Sequence, residues 1–309
     1  MIPASDRKTR LVLGTAQLGM DYGIANTAGL PDLKRAQEIV AFAIDCGIDE
    51  FDTAQAYGKS EAVLGDCLSA IGGGGRAKIL TKISPAVDHR DERAVERSIQ
   101  ESLDRLRCVK LHGLMIHREE FLALWEKGLG SLMKRQVEVG KTALIGVSVY
   151  NPEAGLHALR AEGIDFVQIP SNLFDRRFER IGLVEEAGRR GKGLYVRSVF
   201  LQGLLLMAPE RLPSFLAPAK PWLTRLRYLS RAARIPVPQL ALGYVQSVFA
   251  GHAVLIGCES KKQLLENIRL WKATLPSGLV EEIRREFAHV SELVVNPLLW
   301  KTPQGRPAS

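Results

Sequence analysis

Short apolar runs alternate with longer stretches whose apolar positions recur every three to four residues, a pattern that separates strands from amphipathic helices. The short runs predict strands at Leu11–Thr15, Glu50–Ala54, Ala77–Lys82, Leu111–His117, Ala143–Val149, Asp165–Pro170, Gly193–Val199 and Ala253–Gly257. Between them lie predicted helices at Asp32–Cys46, Ser60–Ile71, Asp91–Arg107, Phe121–Val139, Pro152–Glu162 and Arg177–Arg190. After a Pro-rich connection from Phe200 to Pro221 come four more, near Trp222–Arg234, Val237–Ala250, Ser260–Trp271 and Ser277–Val290. Local chemistry supports several ends. Gly47 sits where a C-terminal cap is wanted, Ser60 reads as an N-cap, and Pro152 falls in a first turn.

Strands such as Lys78-Ile79-Leu80-Thr81 and Ala253-Val254-Leu255-Ile256 are nearly continuous in apolar residues, as strands covered by helices on one face and packed on the other must be. Eight strand–helix units in 309 residues predict a (β/α)8 TIM barrel. A doubly wound sheet also alternates but has fewer strands per domain. No linker divides the chain. It reads as one barrel domain over 1–309, with its core near 11–272 and a last helix and tail at 277–309.

Composition narrows the class. Hydrophobic residues make up 46% and charged residues 25%, ordinary for a soluble globular protein. No apolar run reaches a membrane-spanning length, and Met1 to Arg10 lack an apolar signal core, so a cytoplasmic location is expected. The formal net charge is +8, and Arg225, Arg227, Arg231 and Arg234 gather in one predicted helix. No nucleic-acid motif accompanies them, so they read as a solvated face rather than a phosphate track. Cys46, Cys67, Cys108 and Cys258 are scattered without metal-ligand spacing and read as buried small hydrophobes. No metal site is expected. Gly72 to Ala77 formally fits a dinucleotide fingerprint but follows a helix and precedes a strand, the reverse of what that motif requires.

In such barrels the carboxyl ends of the strands face the active site. Here those ends are polar: Asp52 on the second strand, Lys82 on the third, His117 on the fourth, Ser148 on the fifth, Gln168 on the sixth, Arg197 and Ser198 on the seventh. Singly, each could satisfy backbone groups or snorkel to solvent. Together with Tyr57, five residues beyond Asp52, they form a proton-transfer set. A Tyr titrates near ~10, and a neighbouring Lys82 is expected to lower that value, with Asp52 orienting the lysine and His117 bonding a substrate oxygen. No G-x-S-x-G elbow is present for acyl hydrolysis.

With these residues in view the chain resembles the aldo-keto reductase family. The matching stretches are Gly14-Thr15-Ala16, Phe51-Asp52-Thr53-Ala54 with Tyr57-Gly58 and Ser60-Glu61, Leu80-Thr81-Lys82, Met115-Ile116-His117, Ile145-Gly146-Val147-Ser148, and Ile256-Gly257 through Glu266-Asn267. The resemblance implies a barrel reductase using NADP or NAD, with Asp52, Tyr57, Lys82 and His117 as its catalytic tetrad and Tyr57 as proton donor to a carbonyl. It further implies that Gly14, Thr15, Ala16 and Asp52 border the cofactor, that Ser148 and Gln168 grip the nicotinamide amide, and that Arg197 also contacts the cofactor. Ser198, Phe200, Gln202 and Gly203 would then follow the pyrophosphate, with Gly257, Glu259, Gln263 and Asn267 around the adenosine end.

Three departures from the family pattern stand out. Val149 follows Ser148 where an Asn is usual. Arg197 occupies the place of a Tyr that stacks under the nicotinamide. Gly257 and Gln263 fall where NADP-preferring members carry cations, and Glu259 would repel a 2′-phosphate, with Lys261 and Lys262 nearby to offset it. The opening Gly14 to Asn26 stretch resembles branches acting on sugars or polysaccharide precursors, which implies a sugar-like carbonyl substrate. Tyr22, Gln55, Tyr57, His117 and Phe174 are the expected pocket residues, and a tail containing Trp300 is a candidate cover for the mouth. Two other readings stay open, a non-redox sugar enzyme on the same barrel and a cofactor-sensing regulatory subunit without turnover. Oligomeric state has no signal in the sequence.

Overall fold

Eight parallel strands pair in chain order and close on themselves as β1-β2-β3-β4-β5-β6-β7-β8. They are β1 (Arg10–Gly14), β2 (Glu50–Asp52), β3 (Lys78–Ile83), β4 (Leu111–Ile116), β5 (Thr142–Ser148), β6 (Phe166–Pro170), β7 (Gly193–Arg197) and β8 (Ala253–Gly257). The structure, a computed structural model, describes residues 9–26, 29–73 and 75–300. Closure runs through β1 and β8, which pair from Arg10↔Ala253 to Gly14↔Gly257. Thus (β/α)8 architecture follows the alternation of strand and helix in the sequence.

Side chains fill the barrel bore. Val12, Leu80, Met115, Phe166, Tyr195, Ala253 and Leu255 form one buried cluster inside it, apart from the larger core between strands and helices. Phe166 dictates two neighbours. A Cβ at Gly146 would stand 2.4 Å from its ring, and one at Gly113 3.0 Å. Small residues there make room for a large one, the alternation a tapering bore needs. At the floor, Tyr195 donates to Glu50 (3.0 Å), which also pairs with Arg10 (2.6 Å), so the buried carboxylate is compensated.

Several helices start where a side-chain cap directs. Asp32, Asp91, Asn151 and Ser260 accept from first-turn amides as N-caps. Four expectations need correction. Ser60 is not an N-cap; Lys59 holds that position, and the buried Ser60 hydroxyl bonds Thr15 and Thr53 instead. The segment expected as one helix from Phe121 to Val139 is a 3-10 stretch, Glu119–Lys127, and a helix, Leu129–Glu138, hinged at left-handed Gly128. The one expected at Arg177–Arg190 is likewise split at Gly182, into Arg177–Arg180 and Leu183–Arg189. Cys46 is exposed at a helix end, unlike buried Cys67 and Cys258.

The basic helix, Lys220–Ala233, uses two of its arginines internally. Arg227 donates to the carbonyls of Leu205, Leu206 and Met207, and Arg225 pairs with Glu286. Gly74 of the rejected glycine motif and the tail beyond Trp300 lie outside the described residues. Trp300 itself is buried and donates to the Val294 carbonyl (3.2 Å). Among the described residues no helix is long and apolar enough to cross a membrane.

Candidate active site

The strand ends converge as their spacing predicts. Asp52 ends β2, and its carboxylate receives Lys82 Nζ from β3 on both oxygens, at 2.8 and 2.7 Å. Lys82 gives its remaining proton to the Thr53 carbonyl (2.8 Å), so all three of its donors are committed. From β6, Gln168 Nε2 donates to Asp52 Oδ1 at 2.7 Å. This lysine is fully buried, and a buried ion pair holds only when its remaining valences are met, as here.

Tyr57 stands above this pair, on the turn after β2. Lys82 Nζ lies 4.9 Å from the centre of its ring, and His117 meets the ring edge-on at 5.6 Å. The turn is fixed by a backbone-to-backbone approach. A Cβ on Gly19 would sit 2.1 Å from the Tyr57 carbonyl oxygen, and one on Gly58, at φ +57°, 2.3 Å from the Gly19 oxygen. Glycine at both positions is what lets the loop after β1 press against the turn.

The electrostatics correct one expectation. The three Lys82 donors are committed to Asp52 and Thr53, and the Tyr57 phenol is pushed up, first by burial and then by the charge of Asp52. Arg197 acts in the lowering direction. Burial, with help from the charges of Lys82, Arg197 and Arg118, pushes His117 down to about 3, so its ring is neutral at physiological pH. Its Nδ1 is buried without a hydrogen-bond partner.

A cavity of about 450 Å³ opens beside this set. Its walls include Asp52, Tyr57, Tyr22 and Arg197, then Gly14, Thr15 and Ala16, and farther along Ser198, Phe200, Gln202 and Gly203. Gly257, Glu259, Gln263 and Asn267 line its far end. Ser148 and Gln168 are buried behind the wall, and Gln168 Oε1 is a buried acceptor without a partner.

The loop after β7 takes an unusual path, with Ser198, Leu201 and Gln202 all at positive φ. It is held from several sides. Ile24 donates to the Gln202 carbonyl (3.1 Å), Asn172 donates to the Ser198 carbonyl (3.1 Å), and Arg227 grips the carbonyls that follow. At the far end Ser260 caps the helix Lys261–Trp271, and Gln263 folds back to accept from the Glu259 amide (2.8 Å). Lys261 turns away, its Nζ 4.8 Å from the Phe42 ring.

Three expected pocket residues do not line the cavity: Gln55, Phe174 and His117, whose ring stands against Tyr57. Gln55 spends its amide on Ser98, Ser102 and Ser84, tying the turn to the helix Glu92–Leu106, and does not line the cavity. Phe174 is core, packed on Phe287 at 4.9 Å. One further aromatic stands against a cavity-lining residue. Tyr150 stacks against Arg197, the guanidinium 4.1 Å from its ring centre. Its signal was the strand period, since Tyr150 follows Ser148 by two.

Comparison with known proteins bears on the family and the barrel. The chain is 29% identical over 182 residues to aldo-keto reductase YhdN of Bacillus subtilis (strain 168), an alignment covering 55% of this chain. It spans about half the length of that relative, 52%. Among solved structures, aldo-keto reductase AKR11C1 from Bacillus halodurans in its holo form superposes with a TM-score of 0.75 at 19% identity, covering 94% of this chain and 96% of that one. Glycerol dehydrogenase AKR11B4 from Gluconobacter oxydans gives 0.74 at 20%, over 94% and 95%. At these identities the two structures share the fold. The family model described as "Aldo/keto reductase family" matches residues 10–285, nearly all of the barrel, and the chain belongs to that family.

Proposed function

We propose that the protein interconverts an aldehyde or ketone, sugar-like in character, with its alcohol, using NAD(P)(H) and Tyr57 as the proton donor. The observation that carries this reading is the set of Asp52, Lys82 and Gln168 beneath Tyr57, beside a cavity of about 450 Å³ that runs to the helix after β8. Three features fit such a cofactor. Gln168 carries an unpartnered buried acceptor beside Asp52, the β7 loop holds an irregular path along the groove, and a capped helix N-terminus stands at its far end. Bound reduced nicotinamide supplies the hydride.

The chain's own residues handle the proton. Tyr57 is protonated at neutral pH because burial and Asp52 hold its phenol up, so it is ready to give a proton to the oxygen of a reduced carbonyl. As negative charge grows on that oxygen, neutral His117 beside the ring can donate a hydrogen bond to it. Arg197 favours the tyrosinate left behind. The Lys82–Asp52 pair keeps the floor rigid and dry.

For the nucleotide we favour NAD(H). Glu259 and Glu266 line the far end, and no Lys or Arg is among the described residues lining it there. An acid suits a free ribose hydroxyl and repels a 2′-phosphate.

Tyr57→Phe is the direct test. It should lower kcat/KM for carbonyl reduction by about 10²-fold or more while the nucleotide Kd changes little. Full activity in that variant would remove Tyr57 from the role.

A further inference from the structure

Arg197 is a charge without a counter-charge. Lys82 and Asp52 share one proton-balanced pair, which is neutral as a unit whether written as ions or as amine and acid. His117 is neutral, so the positive charge left over at the mouth is that of Arg197. Among the described residues no carboxylate pairs with it as a salt bridge; Asp52, whose field it feels, is committed to Lys82 and Gln168.

Its hydrogen bonds are also weak. A guanidinium has five N–H donors. Arg197 makes two long contacts, to Ser198 Oγ at 3.3 Å and to the Val149 carbonyl at 3.4 Å. Tyr150 covers one face. The group lines the same cavity as Tyr57 and Tyr22, with donors to spare.

Half-burying a cation costs solvation that two long bonds do not return, and a planar fork of this kind is met best by a carboxylate. We infer that Arg197 reads an anionic group on the substrate, so that the preferred substrates are carbonyl compounds carrying a carboxylate, such as sugar acids. This deepens the proposed reaction and rests on it for the carbonyl, but the carboxylate site stands on the geometry of Arg197 alone. Tyr150 is then a positioning residue, holding the guanidinium by its face and leaving its edges to the ligand.

The test compares matched pairs, 4-carboxybenzaldehyde against 4-methylbenzaldehyde and D-glucuronate against D-glucose. Wild type should favour the acid of each pair in kcat/KM. In Arg197→Met that preference should fall by about 30-fold or more, the effect of about 2 kcal/mol on a charge pair, and Arg197→Lys should keep part of it. An unchanged acid preference in Arg197→Met, with a weakened nucleotide Kd, would assign the arginine to the cofactor and overturn the inference. So would a wild type that prefers the neutral member of both pairs. Benzoate binding to the protein–nucleotide complex separates the two claims. If no carbonyl is turned over yet Arg197→Met loses benzoate, the oxidoreductase reading fails and the carboxylate site survives. Benzoate bound equally by both proteins overturns the site.

Discussion

At the scale of single residues, burial and one neighbour set each group's behaviour. His117 gives a pH prediction. Its folded value near 3 lies below the ordinary 6.5, so between these the unfolded chain holds a proton that the folded chain does not. Its contribution to stability is therefore complete above about 6.5 and declines as pH falls toward about 3. Urea midpoints of His117→Phe should fall less than wild type between pH 7 and pH 4.5; parallel curves would show that this histidine does not carry the effect. Glu259 offers a second test. Glu259→Lys should shift the NADPH-to-NADH ratio of kcat/KM toward NADPH by about 10-fold, the effect of about 1.4 kcal/mol, and an unmoved ratio would take Glu259 out of 2′ recognition. Much of this chemistry was legible in the sequence because a strand-end residue has one place to point. Asp52, Lys82 and Gln168 meet as their positions predict. What sequence could not give was that burial holds the Tyr57 phenol up, or that Gln55 would be wholly spent on three serines.

At the scale of elements, the loops position the site and the strands merely carry it. Tyr57 sits in a turn clamped by Gly19 and Gly58. Gly19→Ala would drive a methyl into the Tyr57 backbone, and the expected result is a loss of about 2 kcal/mol or more in stability, with reduced kcat, since the turn moves the hydroxyl. A variant with wild-type urea midpoint and wild-type kcat would show the turn to be adaptable. The loop after β7 is similarly over-determined, by Ile24, Asn172 and Arg227 together. Its Pro-rich sequence gave little warning of this, because positive φ at Ser198, Leu201 and Gln202 is imposed from outside rather than encoded by glycine. The split helices at Gly128 and Gly182 were visible as single glycines, yet apolar periodicity ran through both and hid the hinge. Arg227 shows the converse, since a basic helix that reads as surface spends one arginine on three backbone carbonyls of the loop after β7.

At the scale of the molecule, closure makes the site. No contiguous stretch holds it, because β2, β3, β4, β6 and β7 each deliver one part. A nucleotide that binds the folded barrel alone should stabilise it by about 2.7 kcal/mol at a hundredfold excess over Kd, read as a rise in Tm. Equal, negligible shifts with NADH and NADPH would argue against a nucleotide groove.

The hydrogen bond from Gln168 to Asp52 spans 116 positions of chain. The residues proposed to move the proton, Asp52, Tyr57, Lys82 and His117, all lie in the first four strand–loop units, whereas the far end of the groove is built from the eighth. That amide ties the carboxylate of the proton-transfer set to a strand of the opposite half, beside the β1–β8 and β4–β5 pairings that already join the two halves.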